Sequence, residues 1–340
     1  MTDPVAVVDI GSGSVKLLIT GTAGLVDSGA ELVRTSVKVN LISESASGSS
    51  SGSESLITDE VLATVADAFE RFNELIAAHG VSTVAVVGTE ACRRATNLSA
   101  IEQLVTDTFN TELEVLDGER EAELAFAGAI AGRELKDPVV VVDIGARSTE
   151  FAINGHSDEL ASLSLPVGGR TLVDLYLQSD PYRPEELSSA LTVMELHLDD
   201  LRRELPFFGE LAGQATVIGV GAVGQIAAVE IGSQDPEFDV DGETLDKVGV
   251  EEVFRALATE QERTHNPGLH PGNAVDIVGA MCVLVEFMRQ FAVTELLVSE
   301  RELSHGLAGE LLSGRSPTGG TPPGGMPPGE TPSGETTAES

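Results

Sequence analysis

Two stretches of this chain follow one template. VAVVDIGSGSVKLLI, Val5 to Ile19, and VVVVDIGARSTEFAI, Val139 to Ile153, each read as an apolar strand that stops at an aspartate, a turn through glycine, and a second apolar strand. A carboxylate at the end of a buried strand is costly unless something compensates it. Two such turns in one chain imply a duplicated half and a site built between the copies.

Strand-like and helix-like segments alternate around these hairpins, which is an α/β pattern with mixed sheets. The expected elements are a helix over 58–78, a strand over 84–87, helices over 90–97 and 100–109, a strand over 113–116 and a helix over 119–132. After the second hairpin come a strand over 162–165, a helix over 184–204 and the strand-turn-helix TVIGVGAVGQIAAVE. Helices over 250–258 and 272–291, a strand over 295–298 and a last helix over 302–312 complete the expected order. Residues 43–55, SESASGSSSGSES, read as a flexible Ser/Gly/Glu insertion, and 314–340 as a disordered Pro/Gly/Thr-rich tail.

With 340 residues, 41% of them hydrophobic, the chain can build two cores without cross-links. Cys92 and Cys282 are far apart and are expected to be buried free thiols. No basic leader and no apolar run of about eighteen residues is present, so the expectation is a cytoplasmic protein with no membrane partner. The formal charge of −35, from 55 acidic against 20 basic residues, excludes a polyanionic nucleic-acid partner. It fits either a high-salt cytoplasm or a compositional habit of the source. Any anionic substrate then needs a local positive site.

In the first turn, Asp9, Gly11, Ser12, Gly13 and Ser14 offer open backbone N–H groups and two hydroxyls beside Lys16, a set that can wrap an oxyanion. The same residues also suit a plain hairpin. A third glycine-rich turn, Gly219 to Gly224, lies where a strand gives way to a helix and N–H groups favour phosphate. In the central hairpin Asp143 and Glu150 lie on adjacent strands and can approach one space. Hard oxygen ligands of this kind suit a Mg²⁺ ion that keeps several waters, although a hairpin end also tolerates a solvated Glu150.

These loops, with GTEACRRATN (88–97), LDGEREAELAFAGA (116–129), SLPVGGRTLVDLYLQSDPYRPEEL (164–187) and LLVSERELSHGL (296–307), resemble the exopolyphosphatase / guanosine pentaphosphate phosphohydrolase (Ppx/GppA) family over nearly all of 4–313. The resemblance implies an α/β fold of two related actin-like (sugar kinase/actin-type, ribonuclease H-like) domains with mixed sheets and an interdomain cleft. The corresponding division is 1–125 and 126–313. It also implies hydrolysis of terminal phosphoanhydride bonds of polyphosphate or guanosine pentaphosphate with Mg²⁺ or another divalent cation. The family's catalytic glutamate falls on Glu121, which would orient and deprotonate the attacking water. By the same matching Asp143 and Glu150 would hold the metal. Gly11, Ser12, Gly13, Ser14, Lys16 and Arg93, with Gly145, Arg147 and Ser148 of the second loop and Gly221 of the third, would contact phosphates.

The sequence departs from the family in four places. Ala146 and Arg147 replace two glycines, which costs roughly 1–2 kcal/mol if either position has positive φ. Ala222-Val223 replaces Gly-Thr, Ser304-His305 replaces Arg-Glu, and Asn273 stands where an arginine is common. Arg147, or Arg301 one helical turn before Ser304, would restore positive charge, although Arg301 fits an adventitious surface arginine equally well. The leading expectation is a metal-dependent phosphoanhydride hydrolase. The alternative is a catalytically weak paralog that binds a phosphorylated nucleotide or polyphosphate as a regulator, and a kinase or ATPase of the same fold ranks third. Either of the first two is compatible with a homodimer.

Overall fold

The computed structural model describes residues 3–25, 31–42, 56–155, 160–231, 239–260, 269 and 274–314. The insertion at 43–55 and the tail beyond Gly314 lie outside the described residues. In the first lobe β1 (Val5–Ile10), β2 (Ser14–Thr20), β3 (Val33–Lys38), β4 (Thr83–Gly88) and β5 (Leu113–Val115) form a sheet ordered β3-β2-β1-β4-β5. The β1–β2 and β2–β3 pairs are antiparallel, and β1–β4 and β4–β5 are parallel. The second lobe contains β6 (Val139–Ile144), β7 (Thr149–Asn154), β8 (Leu160–Leu165), β9 (Thr216–Gly221), β10 (Thr244–Asp246) and β11 (Glu295–Val298). Its order, β10-β11-β9-β6-β7-β8, repeats the first plan with one extra edge strand. These are two related mixed-sheet units, as expected from the duplicated hairpin and as the actin-like fold implied by the family resemblance requires.

β1 and β6 are apolar on every second residue in both phases because helices cover both faces of each sheet. On one face of the first sheet Ala6, Val8 and Ile10 meet Val65, Phe69 and Phe72 of α1 (Asp59–Ala78). Also in this lobe are α2 (Glu90–Arg94) and α3 (Ser99–Phe109). On the opposite face Val5 and Val7 pack with Leu124 of α4 (Gly118–Ile130). The second lobe adds α5 (Gly169–Tyr176), α6 (Pro184–Glu204), α7 (Pro206–Leu211), α8 (Ala222–Ile231), α9 (Lys247–Thr259), α10 (Ile277–Gln290) and α11 (Leu303–Leu312). Here Val140, Val142 and Ile144 join the core of α6, α8 and α10, while Val139 and Val141 face Ala122, Phe126 and Ala129 of α4. Helix α4, which spans residue 125, therefore serves both sheets.

The last helix returns to the first lobe. Leu303, Leu307 and Ala308 of α11 pack with Val5, Val7 and Leu124. The α4–α11 crossing is close enough to require glycine on both helices. A Cβ on Gly128 would lie 2.2 Å from Glu302 O, and one on Gly306 would lie 2.0 Å from Leu124 O. The crossing of α5 and α10 uses the same device, with Gly279 against Gly169 O. Cys92 and Cys282 are buried and free, as expected. No described helix is long and apolar enough to cross a membrane.

Two helices, α5 and α7, were not anticipated: each is short and carries too few turns to show a helical period. The helix expected from 272 begins only at Ile277, after residues 274–276 form a turn.

The glycine crossing can be tested directly. Gly306→Ala should lower stability by about 1–3 kcal/mol because one helix must shift. Gly309→Ala, whose Cβ would find nothing nearer than 3.7 Å, should be neutral or stabilising. Thermal melts of both variants decide this, and equal midpoints would contradict the packing.

Candidate functional site

Strand register builds the site from two matching rows. In the first lobe Asp9 pairs across to Lys16, and Lys16 across to Ser36. In the second lobe the same row reads Asp143, Glu150, Ser164. Directly paired residues share a sheet face, so each row presents its polar side chains to one side. The turns match as well: Gly11 N donates to Ser14 O at 2.9 Å, and Gly145 N donates to Ser148 O at 3.0 Å. The two turns face each other so closely that a Cβ on Gly13 would lie 3.2 Å from Ala146 Cβ. Between them is a cavity of about 280 Å³.

Gly11, Ser12, Gly13, Ser14, Lys16, Glu121, Asp143, Gly145, Arg147, Ser148, Glu150 and Gly221 all line this cavity. Arg93 does not. It stands behind Glu121, donating to Glu121 Oε2 at 2.9 Å and to Leu116 O at 2.6 Å, beside a neighbouring depression that shares Ser148.

The cavity gathers carboxylates where water is scarce. Burial pushes Asp9 up to about 6, against the pull of Lys16. Burial and then Glu302 push Asp143 up to about 7. Glu121 also rises to about 7, from burial, with Arg93 opposing. Glu150 is held well above the ordinary carboxylate range by burial and by Glu121 and Asp143, while Ser164 Oγ donates to its Oε1 at 2.8 Å. The Oδ1 of Asp9 is buried without a hydrogen-bond partner. Lys16 is tied to Glu302 at 2.5 Å. Burial opposes its charge, yet Glu302 and Asp9 hold its pKa above the ordinary lysine value.

Several glycines are fixed by this geometry. Gly221 has φ +70°, and a Cβ there would meet Asp143 Oδ1 at 2.5 Å. Gly168 leaves room for the second turn, whose Gly145 and Ala146 carbonyls accept from the Gly169, Arg170 and Thr171 amides at the start of α5. Ala146 and Arg147 are not among the positive-φ residues, so replacing the family's glycines strains neither position. The Arg147 side chain is 3% exposed and ion-paired to Asp174 at 2.8 Å, and Asp174 also holds Arg170 Nε at 2.7 Å. Arg301 is buried rather than on the surface. It donates to Ala131 O and pairs with Asp241 at 3.5 Å, and it does not line the cavity.

Sequence reasoning missed Glu302, Ser36, Lys38, Thr89, Gln225 and Asp276, all of which line the cavity. Asp9 was legible as a strand-terminal aspartate. Glu302 was not: it becomes part of the site only because α11, which it caps, returns to the first lobe.

The donor set fits a hard divalent cation. The acidic side chains around the cavity are oxygen donors, the buried Asp9 Oδ1 has no hydrogen-bond partner, and burial, with neighbouring carboxylates adding to it, raises four carboxyl pKa values. Among the described residues no three His, Cys, Asp or Glu side chains converge as a closed metal cage. Mg²⁺ needs no such cage, because it keeps waters and takes further ligands from phosphate.

The Ppx/GppA phosphatase family matches residues 26–313 of this chain. Exopolyphosphatase 2 of Mycobacterium tuberculosis is 29% identical over 323 residues, covering 89% of this chain and 97% of that protein. A guanosine-5'-triphosphate,3'-diphosphate pyrophosphatase of Photobacterium profundum is 23% identical and covers 91% of this chain, which spans 59% of that longer protein. The crystal structure of an exopolyphosphatase-like protein superposes with a TM-score of 0.80 at 25% identity, over 91% of this chain and 99% of that one.

The raised pKa of Glu150 sets a stability prediction. Unfolded, this carboxyl loses its proton near its ordinary 4.5, whereas folded it keeps it to higher pH. Its stabilising contribution is thus complete below the unfolded pKa and is lost as pH rises through the folded one. Glu150→Gln mimics the protonated form and retains an acceptor for Ser164. It should raise the thermal midpoint at pH 8 and leave it nearly unchanged at pH 4. A lower midpoint at pH 8 would mean that the carboxylate is compensated in the folded protein.

Proposed function

This chain belongs to the Ppx/GppA phosphatase family, and on that premise we propose that it hydrolyses the terminal phosphoanhydride bond of polyphosphate or of guanosine pentaphosphate, with Glu121 as the base. The observation that carries this reading is the placing of Glu121. It lies in the first turn of α4, lines the cavity between the two turns, and has a pKa raised to about 7. A base with that pKa is about half deprotonated at neutral pH and strong enough to take a proton from an attacking water. The Arg93 ion pair at 2.9 Å fixes the orientation of its carboxylate.

In the reaction, water attacks the terminal phosphorus, its proton passes to Glu121, and the bond to the bridging oxygen breaks in line, with the electron pair leaving on the shortened phosphate chain. The hydroxyls of Ser12, Ser14 and Ser148 lie around the cavity to orient the phosphate. Asp143 and Glu150 would hold the divalent cation. When bound, the ion supplies positive charge that offsets the phosphate oxygens and the crowded carboxylates. The names of the relatives support both substrates. The acidic surface, with 55 acidic against 20 basic residues, lacks the cationic track a long polyphosphate needs and favours short ones.

Phosphate release from long-chain polyphosphate, guanosine pentaphosphate and ATP, measured side by side with Mg²⁺, tests the reading. Glu121→Gln should lower turnover by about 10²–10⁴ while leaving ligand binding largely intact. Wild-type turnover should rise with pH through about 7 as Glu121 loses its proton. Wild-type protein that hydrolyses none of the three, beside a Glu121→Gln variant that binds ligand identically, would leave a regulatory binder instead.

A further inference from the structure

Carried one step toward the turns, the two rows stop matching. In the first lobe Ser14 pairs with Lys38, and the following Val39 amide donates to Gly13 O at 3.0 Å. This fixes the Lys38 backbone to the first turn. In the second lobe the register that pairs Thr149 with Leu165 puts Pro166 beside Ser148. The first lobe alone therefore adds a cation at this place. Lys38 lines the cavity, yet its residue is exposed while Asp9, Glu121 and Glu150 are buried, so it stands at the mouth rather than the floor.

The other lysine and the arginine at the cavity are already matched by carboxylates. Lys16 is paired with Glu302 at 2.5 Å and Arg147 with Asp174 at 2.8 Å. Lys38 makes no salt bridge among the described residues; partial burial, and Lys16 nearby, hold its pKa below the ordinary lysine value, while Asp276, from the second lobe, pulls it the other way. A lysine on an edge strand is often only a guard against strand pairing. Such a lysine has no reason to line a cavity with Ser14 and Ser36. In a chain with four lysines and a formal charge of −35, a lysine at the mouth of an acidic cavity, without a salt bridge among the described residues, is a specific feature.

We propose that Lys38 is a specificity-determining residue that grips the phosphate on the leaving side of the scissile bond, so that the cavity selects chains of phosphates over a single phosphate. This rests on the hydrolase reading above. The terminal phosphate belongs at the floor, beside Glu121 and the facing turns. The next phosphate along the chain then reaches the mouth, where a flexible ammonium can meet its oxygens. A lone orthophosphate at the floor has no such contact.

Calorimetric titration of inorganic tripolyphosphate and of orthophosphate, both with Mg²⁺, into wild-type protein, Lys38→Met, Lys38→Arg and Lys136→Met tests the assignment. Lys38→Met should weaken tripolyphosphate binding about tenfold and change orthophosphate binding less than about twofold. Lys38→Arg should restore most of the loss, and Lys136→Met, which removes the same charge outside the cavity, should change neither. Unchanged tripolyphosphate binding in Lys38→Met, or an equal loss for both ligands, overturns the role of Lys38 while leaving the hydrolase reading intact. A wild-type protein that binds neither ligand overturns that reading and this one together.

Discussion

Asp9, Glu121, Asp143 and Glu150 converge on one poorly hydrated cavity, and burial is the largest cause of the raised pKa of each. Two charges about 5 Å apart repel by about 3 kcal/mol at an effective dielectric near 20, so such a cluster persists only on a stiff frame. The frame is visible in the backbone. Two hairpin turns abut at Gly13 and Ala146, Gly221 yields space to the Asp143 carboxylate, and α4 and α11 cross at glycines that admit no Cβ. That crossing places Glu121, in the first turn of α4, and Glu302, the N-cap of α11, on the same cavity.

The duplication explains the position of the site, and one substitution within it explains the polarity. Both rows begin with aspartate and end with serine, but the middle residue is Lys16 in one lobe and Glu150 in the other. The first row carries its own counter-charge. The second carries two acids, with the Ser148 and Ser164 hydroxyls stabilising Glu150. On the proposed reading the cation belongs on the second lobe's side and the anion approaches from the first. A pair of lobes with identical rows would lack this direction.

Much of this was legible in the chain because hairpins and strand-helix turns are local. The paired Asp-Ile-Gly stretches gave the first two residues of each row, Asp9 with Lys16 and Asp143 with Glu150, and Gly221 at the end of β9 stood out in a glycine-rich turn. Glu302 and Lys38 were hidden for a different reason: their roles depend on where α11 and an edge strand sit relative to distant residues, which no local pattern encodes. Arg147 was read as standing near phosphate, and it does line the cavity, but its tie to Asp174 on α5 depends on a helix too short to be seen in the sequence. The strain that a positive φ at Ala146 or Arg147 would bring is absent because neither residue has one, which the residue types alone do not reveal.

The central claim is that Glu150, standing where the first lobe has Lys16, makes the second lobe a cation site. Glu150→Lys would turn that row into a copy of the first. It should fold, because the new ammonium relieves the repulsion at Asp143. Calorimetric titration of Mg²⁺ into wild-type protein and this variant, each with saturating tripolyphosphate, should show cation binding in the first and none in the second. Equal Mg²⁺ affinity in the two proteins would contradict the account.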